Sequence, residues 1–250
     1  MDTPGSRPLG GLVLLLLVDL DPELAALTAL GGFFVLHTGG APPSAPPTLA
    51  ETYENRPSGA QGSPIVSRVE KVAAALRTPE PRVAASVFQL GLAARLWSVT
   101  LGCALAYGAV PDLDPALLHW DPDASAPDDL WLSEARPLPA DPETVAGVVL
   151  RTHLEPLAEA LRARYRVAPG LLRGNAASAL AGTARQLGPG AGPLAAALLA
   201  HPLLAGTGTL TGGAFRRRSC CLYYRVPGGG VCGDCCFTRP PRPSARGASG

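Results

Sequence analysis

Five of the six cysteines of this 250-residue chain lie between residues 220 and 236. Four of them, Cys220, Cys221, Cys232 and Cys235, follow the spacing C-C-x10-C-x2-C. Two cysteines separated by two residues can chelate one metal through a tight turn, and the Gly-Asp dipeptide between the last two suits such a turn. The spacing therefore predicts a site in which four thiolates bind metal.

Three kinds of structure use clustered thiols, and the sequence favours one of them. Adjacent cysteines are unusual in a structural zinc site, where each half contributes a spaced pair, whereas the two irons of a 2Fe-2S cluster accept neighbouring thiolates more readily. Disulfide bonds are disfavoured because the cluster holds an odd number of cysteines, five, and the pairings would be very local. The residues alone thus favour a 2Fe-2S cluster and leave zinc as the alternative.

The cysteine region is also basic, since residues 214–250 contain seven arginines and one carboxylate, that of Asp234. Such a charge asymmetry indicates that the region meets an anion or sets the electrostatics of a bound centre. The arginines that flank the cysteines are Arg216, Arg217, Arg218 and Arg225. We treat these four as candidates for contacting substrate or tuning a redox potential.

The stretch GTGTLTGGAFRRRSCCLYYRVPGGGVCGDCC resembles the C-terminal signature of FhuF-type ferric-siderophore reductases. Weaker similarity extends upstream through PRVAASVFQLGLAARL and GNAASALAG, so the resemblance covers most of the chain after about residue 22. It implies that Cys220, Cys221, Cys232 and Cys235 bind a 2Fe-2S cluster. Cys236 would then be a surplus thiol.

The resemblance also implies a function. Hydroxamate and catecholate siderophores present hard oxygen donors that hold Fe(III) far better than Fe(II), so one electron is enough to loosen the metal. We therefore expect the protein to reduce imported ferric siderophores and release Fe(II). Electrons would come from an external donor such as a ferredoxin or an NAD(P)H-dependent reductase, in the cytoplasm or at the inner face of the membrane.

The alternative function is a non-redox zinc-binding module whose basic tail contacts nucleic acid or a protein partner. Tyr223, Tyr224 and Phe237 would then stack on bases. The acidic remainder of the chain resembles no nucleic-acid-binding fold, so nucleic acid is not the expected partner.

The rest of the chain predicts a single domain of mainly α (α+β) class, and its 47% hydrophobic residues are enough for a core. Helical spacing runs from Pro22 to the Gly31–Gly32 pair, from Pro64 to about Thr78, and over 83–108 with a break near 98–102. Further helical stretches lie between 142 and 206, with Pro156 ending or kinking the first of them. The motifs LLHW and LWLS predict a small central hairpin.

These signals divide the chain into four parts. Residues 1–20 are expected to be a leader or a poorly defined N-terminus, and 21–213 the mainly helical domain. Residues 214–238 would form an irregular C-terminal cap that binds the cluster, followed by a disordered basic tail at 239–250. The apolar run 10–20 is too short to span a bilayer and lacks the basic flank of a signal peptide, so no transmembrane segment is expected.

No second catalytic centre is predicted outside the cysteine segment. The four histidines are scattered, GPGAGP opens no βαβ unit, and GTGTLTGG lacks a P-loop lysine and is expected to be a flexible entry to the cysteines. Gln89 and Arg95 are the few polar residues of the central helix, and contacts between helices are favoured for them over contact with a ligand. Cys103 is expected to behave as a small core hydrophobe.

Overall fold

The computed structural model describes residues 20–39, 46–54, 63–126 and 128–241. The expectations for residues 1–19 and for the end of the tail, 242–250, fall outside the described residues. The mainly α class with small sheets is confirmed.

Within the described residues the helices are α1 (Leu20–Ala26), α2 (Leu49–Tyr53), α3 (Pro64–Leu76), α4 (Pro81–Tyr107), α5 (Pro142–Ala146), α6 (Glu155–Arg164), α7 (Pro169–Leu187) and α8 (Gly192–Leu199). A π-helical segment, Gly147–Leu154, joins α5 to α6, and short 3-10 turns lie at Leu27–Leu30, Gly32–Phe34, Pro189–Ala191 and Tyr223–Arg225. The strands are β1 (His37–Thr38), β2 (Ala109–Pro111), β3 (Leu118–Trp120), β4 (Leu130–Leu132), β5 (Pro137–Pro139), β6 (Gly208–Thr211) and β7 (Ala214–Arg217).

Helix α4 is the axis of the fold. It packs mainly along α7 and α3, and Trp97 in its middle is fully buried and donates its indole N–H to the carbonyl of Ala176 on α7 at 3.0 Å. The helix is long and apolar enough to cross a membrane, but 61% of its apolar window is buried within the domain. A buried core helix can be as long and as apolar as a membrane-spanning helix, so length and composition do not distinguish the two.

The strands form three small sheets. Strands β3 and β4 pair antiparallel with His119 opposite Trp131, which confirms the predicted central hairpin, and β1 joins β4 in parallel. Strands β2 and β5 form a second pair, and β6 and β7 form the third.

The expected break of the central helix at 98–102 is wrong. Helix α4 continues through this stretch, and the Thr100 hydroxyl donates to the carbonyl of Leu96 one turn earlier. Gly102 serves packing: a Cβ there would lie 3.2 Å from the Phe34 ring and 3.3 Å from Leu27. The glycine lets the N-terminal 3-10 turns sit directly on the helix.

Pro156 does not end its helix either. The π-helical segment precedes α6, in which Pro156 occupies the first turn. Proline lacks an N–H and clashes with the carbonyl one turn before it, and a wider π turn can relieve both problems. The helical stretch therefore runs from Pro142 to Arg164 with its hydrogen-bonding pattern altered rather than interrupted.

Candidate metal centre

The chain enters the cysteine segment through a β-hairpin, not through the flexible stretch expected for GTGTLTGG. Strands β6 and β7 pair in the register Thr211 opposite Ala214, and the two-residue loop is Gly212-Gly213, with φ of +56° and +80°. Two left-handed residues form the type I′ turn that matches the twist of antiparallel strands, and glycine adopts this conformation without steric cost.

The hairpin determines which way the arginines face. Residues of a strand alternate between its two sides, and Phe215 and Arg217 are buried while Arg216 is exposed. Arg218, just beyond the strand, is also exposed. Arg225 differs again, because its Nε donates to the Glu80 carboxylate at 2.7 Å. This hydrogen bond lowers the pKa of Glu80. The four arginine candidates are therefore not equivalent.

A connected set of hydrogen bonds links the cysteine segment to α4 and α7. Ser86 Oγ donates to the carbonyl of Cys221 at 2.8 Å, and Asn175 Nδ2 donates to the carbonyl of Ser86 at 2.9 Å. Ser178 Oγ donates to the Asp234 carboxylate, whose own backbone carbonyl accepts from the Arg217 N–H at 3.0 Å. The two turns that carry the cysteines are thus held against the same pair of helices.

The structure places one pair of the clustered cysteines in direct contact. The sulfurs of Cys221 and Cys232 are 3.4 Å apart, and the N–H of Cys235 donates to the carbonyl of Cys232 at 3.1 Å, which closes the CGDC turn. Cys221 is buried and the other four are partly exposed. One side of the site is enclosed by protein and the other faces solvent.

The sulfur environment fits thiolate ligands. The backbone N–H of Leu222 donates to Cys220 Sγ at 3.2 Å, and that of Phe237 donates to Cys235 Sγ at 3.4 Å. Hydrogen bonds to sulfur stabilise its anionic form and help set the potential of an iron-sulfur centre. Among the described residues, no group of three or more His, Cys, Asp or Glu side chains is arranged to hold a single metal ion.

The thiols differ in acidity for reasons visible in the packing. The Cys232 thiol shares its proton with Cys221, which lowers the pKa of Cys221 to about 6 and raises that of Cys232. The nearby Arg217 guanidinium also lowers the pKa of Cys221. Burial raises the pKa of Cys220 to about 11. The Cys221 thiol therefore loses its proton to solvent near neutral pH, which leaves a thiolate that can bind a metal.

Arg217 lies at the enclosed side of the site and is only 2% exposed. Its Nε donates to the carbonyl of Ser219 at 2.7 Å, and one terminal nitrogen donates to Asn175 Oδ1 at 2.6 Å, while the other, Nη1, has no partner. None of the carboxylates in the described part of the chain lies within ion-pair distance of it. A buried charge is costly unless an opposite charge accompanies it, and the adjacent thiolates supply that charge.

Gly174 permits this arrangement. A Cβ at that position would lie 2.3 Å from the Ser219 hydroxyl and 3.2 Å from a terminal nitrogen of Arg217. The absence of a side chain lets the cysteine segment lie directly on α7.

Sequence patterns did not point to the polar residues that hold the cysteine segment in place. Ser86, Asn175 and Ser178 lie within the two upstream stretches that carry the weaker resemblance. The usable signal was a few small polar residues on otherwise apolar helices. Cys103 is fully buried in the core, as expected, where burial raises its pKa to about 12.

Comparison with known proteins finds a match in the cysteine segment. Residues 217–237 match the family model of the FhuF 2Fe-2S C-terminal domain, a match confined to the segment that holds the cysteines. No curated protein matches the chain. The resemblance to an FhuF-type family is thus confirmed for the cysteine segment, and the cofactor for which this domain is named is the predicted 2Fe-2S cluster.

Proposed function

We propose that this protein is a ferric-siderophore reductase, which passes one electron to the Fe(III) of an imported siderophore and releases Fe(II). The observation that carries the proposal is the match of residues 217–237 to the FhuF 2Fe-2S C-terminal domain, on a segment whose cysteines are partly exposed. Cys220, Cys221, Cys232 and Cys235 are the proposed ligands, and Cys236 is surplus. A 2Fe-2S cluster, when bound, supplies transfer of one electron at a time.

The protein's own groups have distinct parts in this proposal. The backbone N–H groups of Leu222 and Phe237 stabilise the sulfurs of Cys220 and Cys235. Arg217 places a positive charge on the enclosed side of the site. The partly exposed sulfurs on the other side give a partner molecule close approach without any opening of the fold.

Partners are proposed to meet this exposed side. Tyr223, Val231 and Phe237 are between 37% and 39% exposed, and the side chains of Arg216 and Arg218 are exposed nearby. Exposed apolar groups next to exposed cations are typical of an interaction surface for an anionic partner. We propose that a hydroxamate or catecholate ferric siderophore and an external one-electron donor, such as a ferredoxin or an NAD(P)H-dependent reductase, both use it, in the cytoplasm.

The experiment begins with protein purified without oxygen. Iron, acid-labile sulfide and zinc are measured, together with the visible and EPR spectra. The reduced protein is then mixed with ferric siderophores of both types, and Fe(II) is trapped with a ferrous chelator. Trapped Fe(II) above that of a cluster-free Cys232→Ser control supports the reductase.

Two results would end the proposal. Stoichiometric zinc without iron or sulfide would replace it with the non-redox zinc module. An iron-sulfur protein that yields no Fe(II) above the control from any siderophore would keep the cofactor and remove the reductase activity.

A further inference from the structure

An open cleft of about 420 Å³ lies where the start of α4 meets the end of α6. Its walls carry Arg82, Arg164, Arg166 and Tyr165, together with Glu80 and two prolines. None of the lining residues belongs to the segment 217–237. The volume falls within the range of roughly 300–1,000 Å³ that is usual for small-molecule sites.

Both walls of the cleft lead to the cysteine segment. On α4, Arg82 lies four residues, or about 6 Å of helix rise, before Ser86, whose hydroxyl donates to the carbonyl of Cys221 at 2.8 Å. On the other wall, Arg166 lies four residues before Gly170, whose carbonyl accepts a hydrogen bond from the cysteine segment at 2.8 Å. The cleft is therefore a neighbour of the proposed cluster site.

A chain of contacts joins the cleft to one of the proposed cluster ligands. Glu80 accepts a hydrogen bond from Arg225 Nε at 2.7 Å, and the Arg225 guanidinium lies over the Tyr224 ring, 5.9 Å from its centroid. The Tyr224 ring meets that of Phe237 edge to face, with centroids 5.9 Å apart, and the Phe237 N–H donates to Cys235 Sγ at 3.4 Å. A molecule in the cleft would lie beside the groups from which an electron is proposed to leave.

The lining charges of the cleft do not balance. Glu80 is its single lining carboxylate, and two guanidinium groups already share it: Arg82 Nη2 at 2.9 Å and Arg225 Nε at 2.7 Å. Arg166 is exposed, and no carboxylate of the described residues lies within ion-pair distance of it. The lining groups therefore leave positive charge at the surface of the cleft.

Charges just outside this group do not remove the excess. Burial raises the pKa of Tyr165, and the charges of Arg164 and Glu70 act on it in opposite directions. When Arg164 and Glu70 are included, four arginines stand against two carboxylates, an excess of two positive charges. Such a surface attracts an anion.

We propose that this cleft binds anionic ferric siderophores of the catecholate type in preference to neutral hydroxamates, an inference that rests on the proposed reductase function. A tricatecholate complex of Fe(III) is trianionic, because each catecholate brings two negative charges, whereas a trihydroxamate complex is neutral. The guanidinium groups would donate charge-assisted hydrogen bonds to the catecholate oxygens. Tyr165, Pro79 and Pro81 offer flat apolar surface to the catechol rings.

The test measures binding with Ga(III) in place of Fe(III), because Ga(III) has the same charge and a similar radius and is not reduced by the cluster. The cluster-containing protein is titrated calorimetrically with the Ga(III) complexes of enterobactin, a tricatecholate, and of desferrichrome, a trihydroxamate. We expect saturable binding of the catecholate complex that is at least roughly tenfold tighter, since one charge-assisted hydrogen bond contributes about that factor. Its affinity should also fall as salt is added.

Arg166→Gln removes one charge of the cleft at an exposed position. It should weaken binding of the catecholate complex roughly fivefold and leave the hydroxamate complex unaffected. Arg185→Gln is the matched control, because Arg185 is exposed near the other end of α7 and does not line the cleft. It should change neither affinity. Arg218→Gln, beside the cysteines, should have a smaller effect than Arg166→Gln.

The inference is overturned if the two Ga(III) complexes bind equally well, if the catecholate complex does not bind, or if Arg166→Gln and Arg185→Gln behave alike. A larger loss in Arg218→Gln than in Arg166→Gln would also overturn it, by placing the anion beside the cysteines. Release of Fe(II) from a hydroxamate complex would keep the reductase in each of these cases. Conversely, selective binding of the Ga(III) catecholate by a protein that releases no Fe(II) would support the cleft and remove the reductase activity.

Discussion

Replacing Arg217 by glutamine should lower the reduction potential of the bound cluster. A four-thiolate 2Fe-2S centre is anionic in both oxidation states and more so when reduced, so a nearby positive charge favours the reduced form. Arg217 is suited to this effect because it is buried beside Cys221 and no carboxylate of the described residues lies within ion-pair distance of it. Glutamine removes the charge and keeps a hydrogen-bonding group.

The expected size follows from Coulomb's law. For an assumed separation of about 8 Å between the guanidinium and the cluster charge, two unit charges interact by about 2 kcal/mol at an effective dielectric constant of about 20, which corresponds to roughly 90 mV for a one-electron couple. Arg218 is exposed, so water and salt screen its charge, and Arg218→Gln should shift the potential by a small fraction of that amount. The adjacent position thus supplies a matched control.

The assay is an anaerobic redox titration followed by EPR or visible absorption, on variants with confirmed cluster content and helical circular dichroism. Arg217→Lys should recover part of the wild-type potential, because it restores the charge without the planar fork that bonds Ser219 and Asn175. The reasoning is refuted if Arg217→Gln leaves the potential unchanged. It is also refuted if Arg218→Gln produces the larger shift.

Three further outcomes are expected. Serine at Cys220, Cys221, Cys232 or Cys235 should remove the visible absorption of the cluster, whereas Cys236→Ser should retain it; the reverse behaviour of Cys235 and Cys236 would show that the ligand register is wrong. Gly174→Ala should destabilise the cysteine segment by about 1–3 kcal/mol, measured by urea unfolding and iron retention, because its Cβ would clash with Ser219; unchanged iron retention and stability would contradict the close packing. Burial lowers the pKa of His153 to about 4, below the roughly 6.5 of an unfolded chain, so stability present above pH 6.5 should fall by about 2 kcal/mol between pH 7 and pH 5. Urea unfolding at the two pH values should show a smaller loss in His153→Gln; an equal loss in the variant would assign the effect to other groups.

Local sequence patterns were enough to predict several helices, the central hairpin and the position of the cysteine site. The C-C-x10-C-x2-C spacing predicted the cysteine site because metal chelation by a short turn depends only on residues a few positions apart. The helix beginning at Pro64 and the hairpin of LLHW and LWLS were predicted for the same reason, since side-chain periodicity is a local property.

Local rules failed where packing outweighed propensity. Small and β-branched residues at 98–102 suggested a break, but Gly102 accommodates the Phe34 ring and α4 stays continuous. Pro156 suggested that the helix ends or kinks, and the helix does not end there, because a π-helical segment precedes the turn that holds the proline. The glycines of GTGTLTGG suggest a flexible connection, but the Gly-Gly pair forms the turn of a β-hairpin.

The charge arrangement at the site was decided by tertiary structure alone. Four arginines near the cysteines were indistinguishable in sequence, and only the pairing of β6 with β7 against α7 buries Arg217 and leaves Arg216 exposed. The hydrogen bond from Ser86 to the carbonyl of Cys221 joins residues 135 positions apart. No local pattern encodes such a contact, because it depends on how the whole chain packs around α4, and that packing determines which polar groups lose water and must find a partner.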